Sequence, residues 1–415
     1  MHLFVSAGEP SGDQHGAALI RALHGRLAGS GGDARDLASA ETPRRLRVSG
    51  FGGPEMRQAG QEQLFQLTDL AVMGVAAVLP VIGKFWGLYQ RAKAHLKATR
   101  PDAVVLIDFP GFHWHIARAA KSLGIPVHYY MPPQLWAWAP WRIRKLRRTV
   151  DTVISGLPFE ADWYESRGVC VARVPHPFFD EVAHKPLDAS HATEMRAAPG
   201  RVVAVLPGSR TGEVDRNFPV QLEVMRRVGE AHPDVRFQIA CYRAEHAETC
   251  RRMLAEECSQ HGAMPMTVPP AFQVGRTSEV LEAAEMAVMV SGSVSLEVLA
   301  RRVPAVVCYR LALTSLPLIP MVTAPFMSLP NLIAGREMMP EHAFAFRRHR
   351  RAAAMAAVLK RWLGCEDELR AVRDQLAAVA SDVDHAGGAD KAAAAVLCRI
   401  NVAASAPTDQ AARAA

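Results

Sequence analysis

The chain has 415 residues, too many for one hydrophobic core and suited to two domains of ordinary size. With 49% apolar and 21% charged residues it has the balance of a globular protein rather than a disordered or membrane-spanning one. A net charge of +7 and a pI near 9.2 favour anionic partners, but the sign alone does not separate nucleic acid, phospholipid headgroup and nucleotide-sugar.

Short β-branched runs alternate with longer helical patterns, the signature of parallel α/β layers. The first series runs through His2–Ala7, Leu46–Phe51, Ala103–Asp108, Pro126–Tyr130, Thr152–Ser155 and Cys170–Val174. The start, Met1 to Glu9, has no basic region and too short an apolar run for a signal peptide, so a cytosolic location is expected. Gly29–Arg44 reads as a loop insertion. A second series begins at Arg201–Leu206 and continues through Val235–Ala240, Met286–Val290 and Ala305–Tyr309. The expected organisation is therefore a first Rossmann-like domain over 1–184, a linker over 185–200 and a second such domain over 201–340. Helices follow over 341–403, and 404–415 reads as a disordered tail.

The carboxyl ends of parallel strands are where ligands sit in open α/β sheets. The first strand runs into Ser6-Ala7-Gly8-Glu9-Pro10-Ser11-Gly12-Asp13, where glycines let a ligand approach the backbone and Ser11 or Asp13 is placed to cap the next helix. It lacks the Gly-x-Gly-x-x-Gly spacing of a dinucleotide site, and it equally suits an ordinary strand-to-helix turn. Asp108 ends the strand Val104–Asp108 among apolar neighbours, where a desolvated general base would be placed; a helix cap or loop ion pair is the plainer reading. His113 and His115 follow without a third ligand at metal-like spacing, so no metal is expected.

In the second half, Pro207-Gly208-Ser209-Arg210 puts a permanent cation after a flexible turn, an arrangement suited to a diphosphate. Ser291-Gly292-Ser293 passes from a strand into a helix whose free amides can hold phosphate oxygens, with Glu297 one turn in, able to accept from sugar hydroxyls. An ordinary capped helix has the same sequence. The run from Leu311 to Gly335 carries no charge and is interrupted by Pro317, Pro320, Pro325 and Pro330, so it does not read as a spanning helix; it reads as a loop facing something apolar, or as a buried crossover. It closes on Asn331 and Arg336. Apolar residues from Val75 to Tyr89, the tryptophans Trp136, Trp138 and Trp141 beside Arg142–Arg148, and the cluster Arg347–Arg351 are candidates for a membrane-facing surface, and each also reads as a core stripe or a solvated helix face. The cysteines form no Cys-x-x-Cys pair and read as reduced thiols.

Taken in order, Ala7–Asp13, Gly52-Gly53-Pro54-Glu55-Met56, Leu70–Gly74, Ile107-Asp108, Leu135-Trp136-Ala137-Trp138, Leu157-Pro158-Phe159-Glu160, His176-Pro177, Leu206–Arg210, Ser291-Gly292, Leu296-Glu297 and Ser328–Glu337 carry a resemblance over nearly the whole chain. It resembles the lipid-A-disaccharide synthase family, bacterial glycosyltransferases of lipopolysaccharide assembly. The resemblance implies a GT-B fold, two Rossmann-like domains with C-terminal helices packing back on the first. It also implies metal-independent, cofactor-free, inverting transfer from UDP-2,3-diacylglucosamine to 2,3-diacylglucosamine 1-phosphate, in the bacterial cytoplasm and peripheral on the anionic surface of the inner membrane. Asp108 and Arg210 would be catalytic. Gly208, Ser209, Ser291, Gly292, Ser293, Glu297, Asn331 and Arg336 would serve the donor, and Gly8, Glu9, Ser11, Gly12, Asp13 and Met73 the acceptor. Gly111, His113 and Pro175 depart from the family pattern on the acceptor side, where an acidic residue, asparagine and glycine are usual. An oligomer stays open. The competing readings are a UDP-sugar epimerase or a catalytically idle lipid- or nucleotide-binding module of the same fold; with basic residues dispersed and no reading motif, nucleic acid is not an expected partner.

Overall fold

The computed structural model describes residues 1–29, 46–70, 82–383 and 385–405. The chain divides into two compact units, one of Met1–Asp180 with Ala386–Ala415 and one of Glu181–His385.

In the first unit β1 (His2–Ala7), β2 (Arg47–Gly52), β3 (Gln61–Gln66), β4 (Ala103–Ile107), β5 (Val127–Tyr130), β6 (Thr152–Ser155) and β7 (Val171–Arg173) form a parallel sheet in the order β3-β2-β1-β4-β5-β6-β7. Helices cover both faces, so the central strands are apolar on both sides. Phe4, Val104, Leu106 and Tyr129 point into one core layer; Leu3, Val5, Val105, Ile107 and Tyr130 point into the other. Several helices here start at proline, as in Pro110–Ser122, Pro158–Glu165 and Pro177–His184, where the fixed φ suits the first turn and the missing N–H costs nothing. The last helix, Gly388–Ser405, returns to this unit: Ala392, Ala393 and Val396 pack with Leu19, Ile20 and Leu23, and the Asp180 carboxylate accepts from the amides of Gly387 and Ala389.

The second unit repeats the plan with β8 (Val202–Leu206), β9 (Arg236–Cys241), β10 (Ala271–Val274), β11 (Met286–Met289), β12 (Ala305–Arg310) and β13 (Glu341–Phe344), parallel in the order β10-β9-β8-β11-β12-β13. Here the structure differs from the expected boundaries. The segment 185–200 is not an irregular linker: it holds the helix Ala189–Ala197, capped by the Asp188 carboxylate on the His191 amide, with Ala192 and Met195 buried. Residues 341–344 form the edge strand β13, not helix. Helices Arg348–Gly364 and Glu366–Val383 belong to the second unit, where Met355, Leu359 and Leu376 are buried. No helix among the described residues is long and apolar enough to cross a membrane. The expected Gly29–Arg44 insertion lies outside the described residues apart from Gly29, and so does the tail beyond 405.

Candidate active site

Both sheets reverse their strand order at one place, between β1 and β4 and between β8 and β11. Such a switch point leaves a crevice beyond the carboxyl ends of the two strands. The residues singled out in the sequence leave from these four strand ends: Gly8–Asp13 after β1, Asp108 after β4, Gly208–Arg210 after β8 and Ser291–Ser293 after β11.

At the first switch point Asp108 and Phe109 both take left-handed backbone angles, φ 48° and 50°. Two consecutive non-glycine residues in this region store about 1 to 3 kcal/mol each and persist only where neighbours over-determine them. The restraint is visible. The Asp108 carbonyl accepts from His113 Nδ1 at 2.7 Å and from the Tyr129 hydroxyl at 2.7 Å. A carbonyl only accepts, so Nδ1 carries the imidazole proton, and Nε2 accepts from the Ser6 hydroxyl at 2.8 Å. Burial holds the ring neutral, its pKa pushed down to about 4. The result is a rigid elbow that presents the half-buried Asp108 side chain beyond β4. Gly111 lies in the first turn after it with open space where a Cβ would go.

The β1 turn packs against this elbow. A Cβ on Gly8 would meet the Phe109 ring at 2.3 Å, so glycine is needed there for close approach. Ser11 is exposed and Glu9 half-buried. Asp13 does not cap its own helix, nor does it face the crevice. It is buried, and its carboxylate accepts from the amides of Gly53 (2.7 Å), Glu55 (2.9 Å) and Met56 (3.1 Å), capping the helix Pro54–Gln58. Met73 lies outside the described residues, with Val75, Val78 and Leu79.

A second carboxyl sits close to Asp108. Glu160 is buried, accepts from Trp136 Nε1 at 2.9 Å and from the Ser155 hydroxyl at 2.6 Å, and is pushed up to about 7, by burial first and by the Asp108 charge in a smaller measure. Trp136 is therefore an interior strut, not an interfacial anchor. Trp138 and Trp141 are exposed, with the Arg142 guanidinium 4.3 Å above the Trp138 ring. In the helix Ile82–Thr99, Phe85 and Tyr89 pack on the core and Trp86 is exposed.

At the second switch point Gly208 has φ +119°, and a Cβ there would lie 2.8 Å from Glu213 Cβ. Glu213 is buried; its Oε1 pairs with Arg210 Nη1 at 3.0 Å and its Oε2 accepts from the Ser209 amide at 3.3 Å. One carboxylate thus fixes the turn and steadies the guanidinium of an arginine whose side chain is 56% exposed, open to an anion. Beside it, the Ser291 hydroxyl donates to the Met327 carbonyl and the Ser295 hydroxyl to the Gly292 carbonyl. These side chains shape the turn, and what it offers a ligand is backbone amide and the open space over Gly292. Glu297 is buried and paired with Arg301 Nε at 3.1 Å.

Asn331 proves to be an internal brace. It is fully buried, its Nδ2 donates to the Met339 carbonyl and to Glu341 Oε1 at 2.7 Å each, and its Oδ1 accepts from the amides of Met338 and Met339. That uses its donors and both acceptor positions, leaving none for a donor sugar. Glu341 completes the brace, accepting from the Met327 amide, the Ser328 amide and the Ser328 hydroxyl. Arg336 is turned to Gln375 at 2.7 Å. A cavity of about 360 Å³ lined by Arg196, Glu282, Glu285, Arg301, Arg302 and Arg373 opens at the amino ends of β8, β11 and β12, the wrong end for the ligand crevice. Among the described residues, no group of three or more His, Cys, Asp or Glu is placed to hold a metal ion.

Sequence reading quoted Ser6 and Glu160 within motifs but gave them no role, and it passed over the supports Tyr129, Glu213 and Glu341. Only Glu213, three residues after Arg210 at the start of a helix, carried a local signal. The others act across the fold.

A family model described as lipid-A-disaccharide synthetase matches residues 3–363. The chain is 33% identical over 399 residues to the lipid-A-disaccharide synthase of Alcanivorax borkumensis, covering 95% of this chain and 96% of that one. It is 36% identical over 339 residues to that of Pseudomonas entomophila, covering 81% and 83%. Among solved structures it is similar to an S. aureus MnaA–UDP complex (TM-score 0.59, 10% identity, 98% and 99% covered). It is also similar to a UDP-GlcNAc 2-epimerase from Neisseria meningitidis bound to UDP-GlcNAc (TM-score 0.58, 12% identity, 96% and 99% covered). At such identities these two likenesses are of fold alone.

Proposed function

The chain belongs to the lipid-A-disaccharide synthase family, glycosyltransferases of lipid A biosynthesis with two Rossmann-like domains, and from that premise we propose its substrates and the roles of its residues. It joins UDP-2,3-diacylglucosamine to 2,3-diacylglucosamine 1-phosphate, working in the bacterial cytoplasm at the anionic surface of the inner membrane. The Asp108 carboxylate removes the proton of the acceptor's 6-hydroxyl. That oxygen bonds to C1 of the donor sugar on the face opposite the diphosphate, the C1–O bond to the diphosphate breaks, and UDP leaves with the electron pair, inverting the centre. Arg210 and the amides of Ser291 to Ser293 take up the charge developing on the leaving diphosphate; a preorganised donor of this kind is worth about 3 to 4 kcal/mol of barrier. Glu9 and Ser11 lie on the acceptor side, while Gly8 and Gly12 let the β1 turn pack closely. Ser209 acts through its amide as part of the turn that aims Arg210, and Glu297 accepts from the donor's hydroxyls while held by Arg301.

The observation that carries this reading is the strained elbow at Asp108, held from two sides by His113 and Tyr129 at the switch point of the first sheet. An epimerase would need no acceptor. Incubating purified protein with the UDP-linked diacylglucosamine alone and then with the matching 1-phosphate, with mass analysis of the products, tests the proposal. Disaccharide and UDP should form only in the second mixture, and isomerisation of the donor in the first would reject it.

A further inference from the structure

The second unit carries an exposed apolar segment that the chemistry above does not use. Beyond β12 the chain forms the 3-10 segment Leu313–Met321, in which no residue is buried. Leu313 is 62% exposed, Leu318 51%, Ile319 44% and the following Val322 53%. Beyond β13 comes Phe346, 64% exposed, and then Arg347, Arg348, Arg350 and Arg351. These strands are parallel neighbours, Arg310 opposite Phe344, with the Leu311 amide donating to the Phe344 carbonyl at 2.8 Å. Both segments therefore leave the sheet side by side, at the carboxyl end from which the Arg210 and Ser291 turns also leave.

Single exposed apolar side chains are ordinary, but a set of them on two adjoining segments marks an interaction surface. Its charge is one-sided. No aspartate or glutamate occurs between Glu297 and Glu337, or between Glu341 and Glu366. Of the acids nearest in sequence, Glu341 is spent on Met327, Ser328 and Asn331 and the exposed Glu337 accepts from the Glu341 amide, while Glu223 is held by Arg227 and His349. Arg347 takes φ 61° as the cap of the helix Arg348–Gly364, so the basic turn is fixed in place. Pro317 and Pro320 keep the apolar segment from becoming a regular helix and remove backbone donors that would otherwise lose water on contact.

We propose that Leu313–Val322 and Phe346–Arg351 form a docking face for an anionic lipid bilayer. The apolar side chains enter the boundary between headgroups and acyl chains, and the arginines at the rim pair with lipid phosphates. Docking turns the carboxyl end of the second sheet towards the membrane that supplies acylated substrates; this last consequence rests on the reading of function above, whereas the surface itself does not.

The full-length chain is sedimented with vesicles of phosphatidylcholine, and of phosphatidylcholine mixed with phosphatidylglycerol, over a range of salt. Wild type should bind the anionic vesicles and release as salt rises. The triple variant Arg347→Gln, Arg350→Gln, Arg351→Gln should bind roughly 100-fold more weakly with a flatter salt dependence. Leu318→Ser with Ile319→Ser should weaken binding about tenfold or more at every salt concentration. Variants that bind like wild type, or wild type indifferent to anionic lipid, overturn the proposal. It is also overturned if the variants leave vesicle binding intact but convert a dimer to monomers, since the occupant is then a second copy of the chain. Turnover of detergent-dispersed substrates should be unchanged in both variants, which shows them folded. Absence of disaccharide from wild type in that assay rejects the reading of function and leaves the vesicle result standing.

Discussion

The imidazole of His113 and the backbone of Asp108 are locked together: Nδ1–H donates to the Asp108 carbonyl at 2.7 Å while the ring stays neutral. The ring reaches the same carbonyl that Tyr129 holds from β5, and so supports the geometry of the elbow without adding a charge to it.

On the proposal that Asp108 is the base, its carboxylate is essential to turnover and its supports are secondary. Asp108→Ala should lower turnover by roughly 100- to 10,000-fold with donor affinity unchanged. Tyr129→Phe and His113→Ala each remove one donor to the Asp108 carbonyl and should lower kcat by about tenfold with KM nearly constant, because they misplace a group that acts only in the chemical step. Steady-state kinetics in detergent check all three, and near-normal turnover in Asp108→Ala with intact donor binding would remove it from the base role.

Acid should unfold the first unit before the second. His113 and His128 are pushed down to about 4 and His176 to about 3, in each case by burial first. Below pH 6.5 the unfolded chain binds protons that the folded one refuses, so stability is intact above 6.5 and falls as pH drops towards 4 and 3. Each group is worth on the order of 3 kcal/mol over that window. Glu160 works the other way: its folded pKa of about 7 exceeds the carboxylate norm, so it favours the fold at low pH and loses that contribution as pH rises from 4.5 to 7. Three histidines outweigh one glutamate. Hydrogen exchange at pH 7.5 and pH 5 should show protection lost first in β4, β5 and β6; uniform loss in both units would contradict this.

Glu160 can satisfy its partners in either charge state. Ionised, it accepts from Trp136 and Ser155; protonated, it can donate to Ser155 Oγ, whose own hydrogen reaches the Leu157 carbonyl at 3.3 Å. Glu160→Gln mimics the protonated form and should retain stability while abolishing a carboxyl titration near pH 7, followed by the infrared carbonyl band. Glu160→Ala orphans both donors and should cost about 2 to 4 kcal/mol. Asp108→Asn removes a like charge and should move the Glu160 titration to lower pH; an unmoved titration would mean that the two carboxyls do not sense each other.

What the sequence made legible follows from burial. The central strands β1, β4, β5, β8, β11 and β12 are covered on both faces and so must be apolar runs, such as Val104–Ile107 and Val202–Leu206. The strands that escaped notice, β3, β10 and β13, are sheet edges with partial burial, and Gln61–Gln66 or Glu341–Phe344 need no apolar run to pair on one side. At the site, the turns after β1, β4, β8 and β11 were readable because glycine, proline and charge cluster there. The duties of Asp13 and Asn331 were not, since a buried carboxylate capping a helix forty residues away looks, in one dimension, like a ligand group.

Arg210 should be sensitive to shape as well as charge. Glu213 holds Nη1 and leaves the rest of the fork outward. Arg210→Ala should lower kcat by about 100- to 1,000-fold, and Arg210→Lys should recover little of it, since a point charge does not reproduce a planar fork on a diphosphate. Glu213→Ala should chiefly raise KM for the UDP-sugar, because the turn loses its anchor while the guanidinium remains. Equal kcat losses in Glu213→Ala and Arg210→Ala would place Glu213 in the chemical step instead.

Asn331 offers the sharpest separation of a structural role from a ligand-binding one. Replacing it with alanine leaves the amides of Met338 and Met339 and the Met339 carbonyl without partners in a buried loop, at about 1 to 3 kcal/mol for each group that water cannot reach. Asn331→Ala should therefore lower the urea midpoint markedly, and its activity at low temperature, where the protein stays folded, should fall through a displaced Ser291 turn, since Ser291 hangs on the Met327 carbonyl next to the brace. Asn331→Asp keeps Oδ1 as an acceptor but loses the donor to Met339 and sets a second carboxylate against Glu341, so it should be as unstable as the alanine variant at pH 8 and recover in mild acid. A variant with wild-type stability and a pure loss of donor affinity would show instead that the asparagine touches the UDP-sugar.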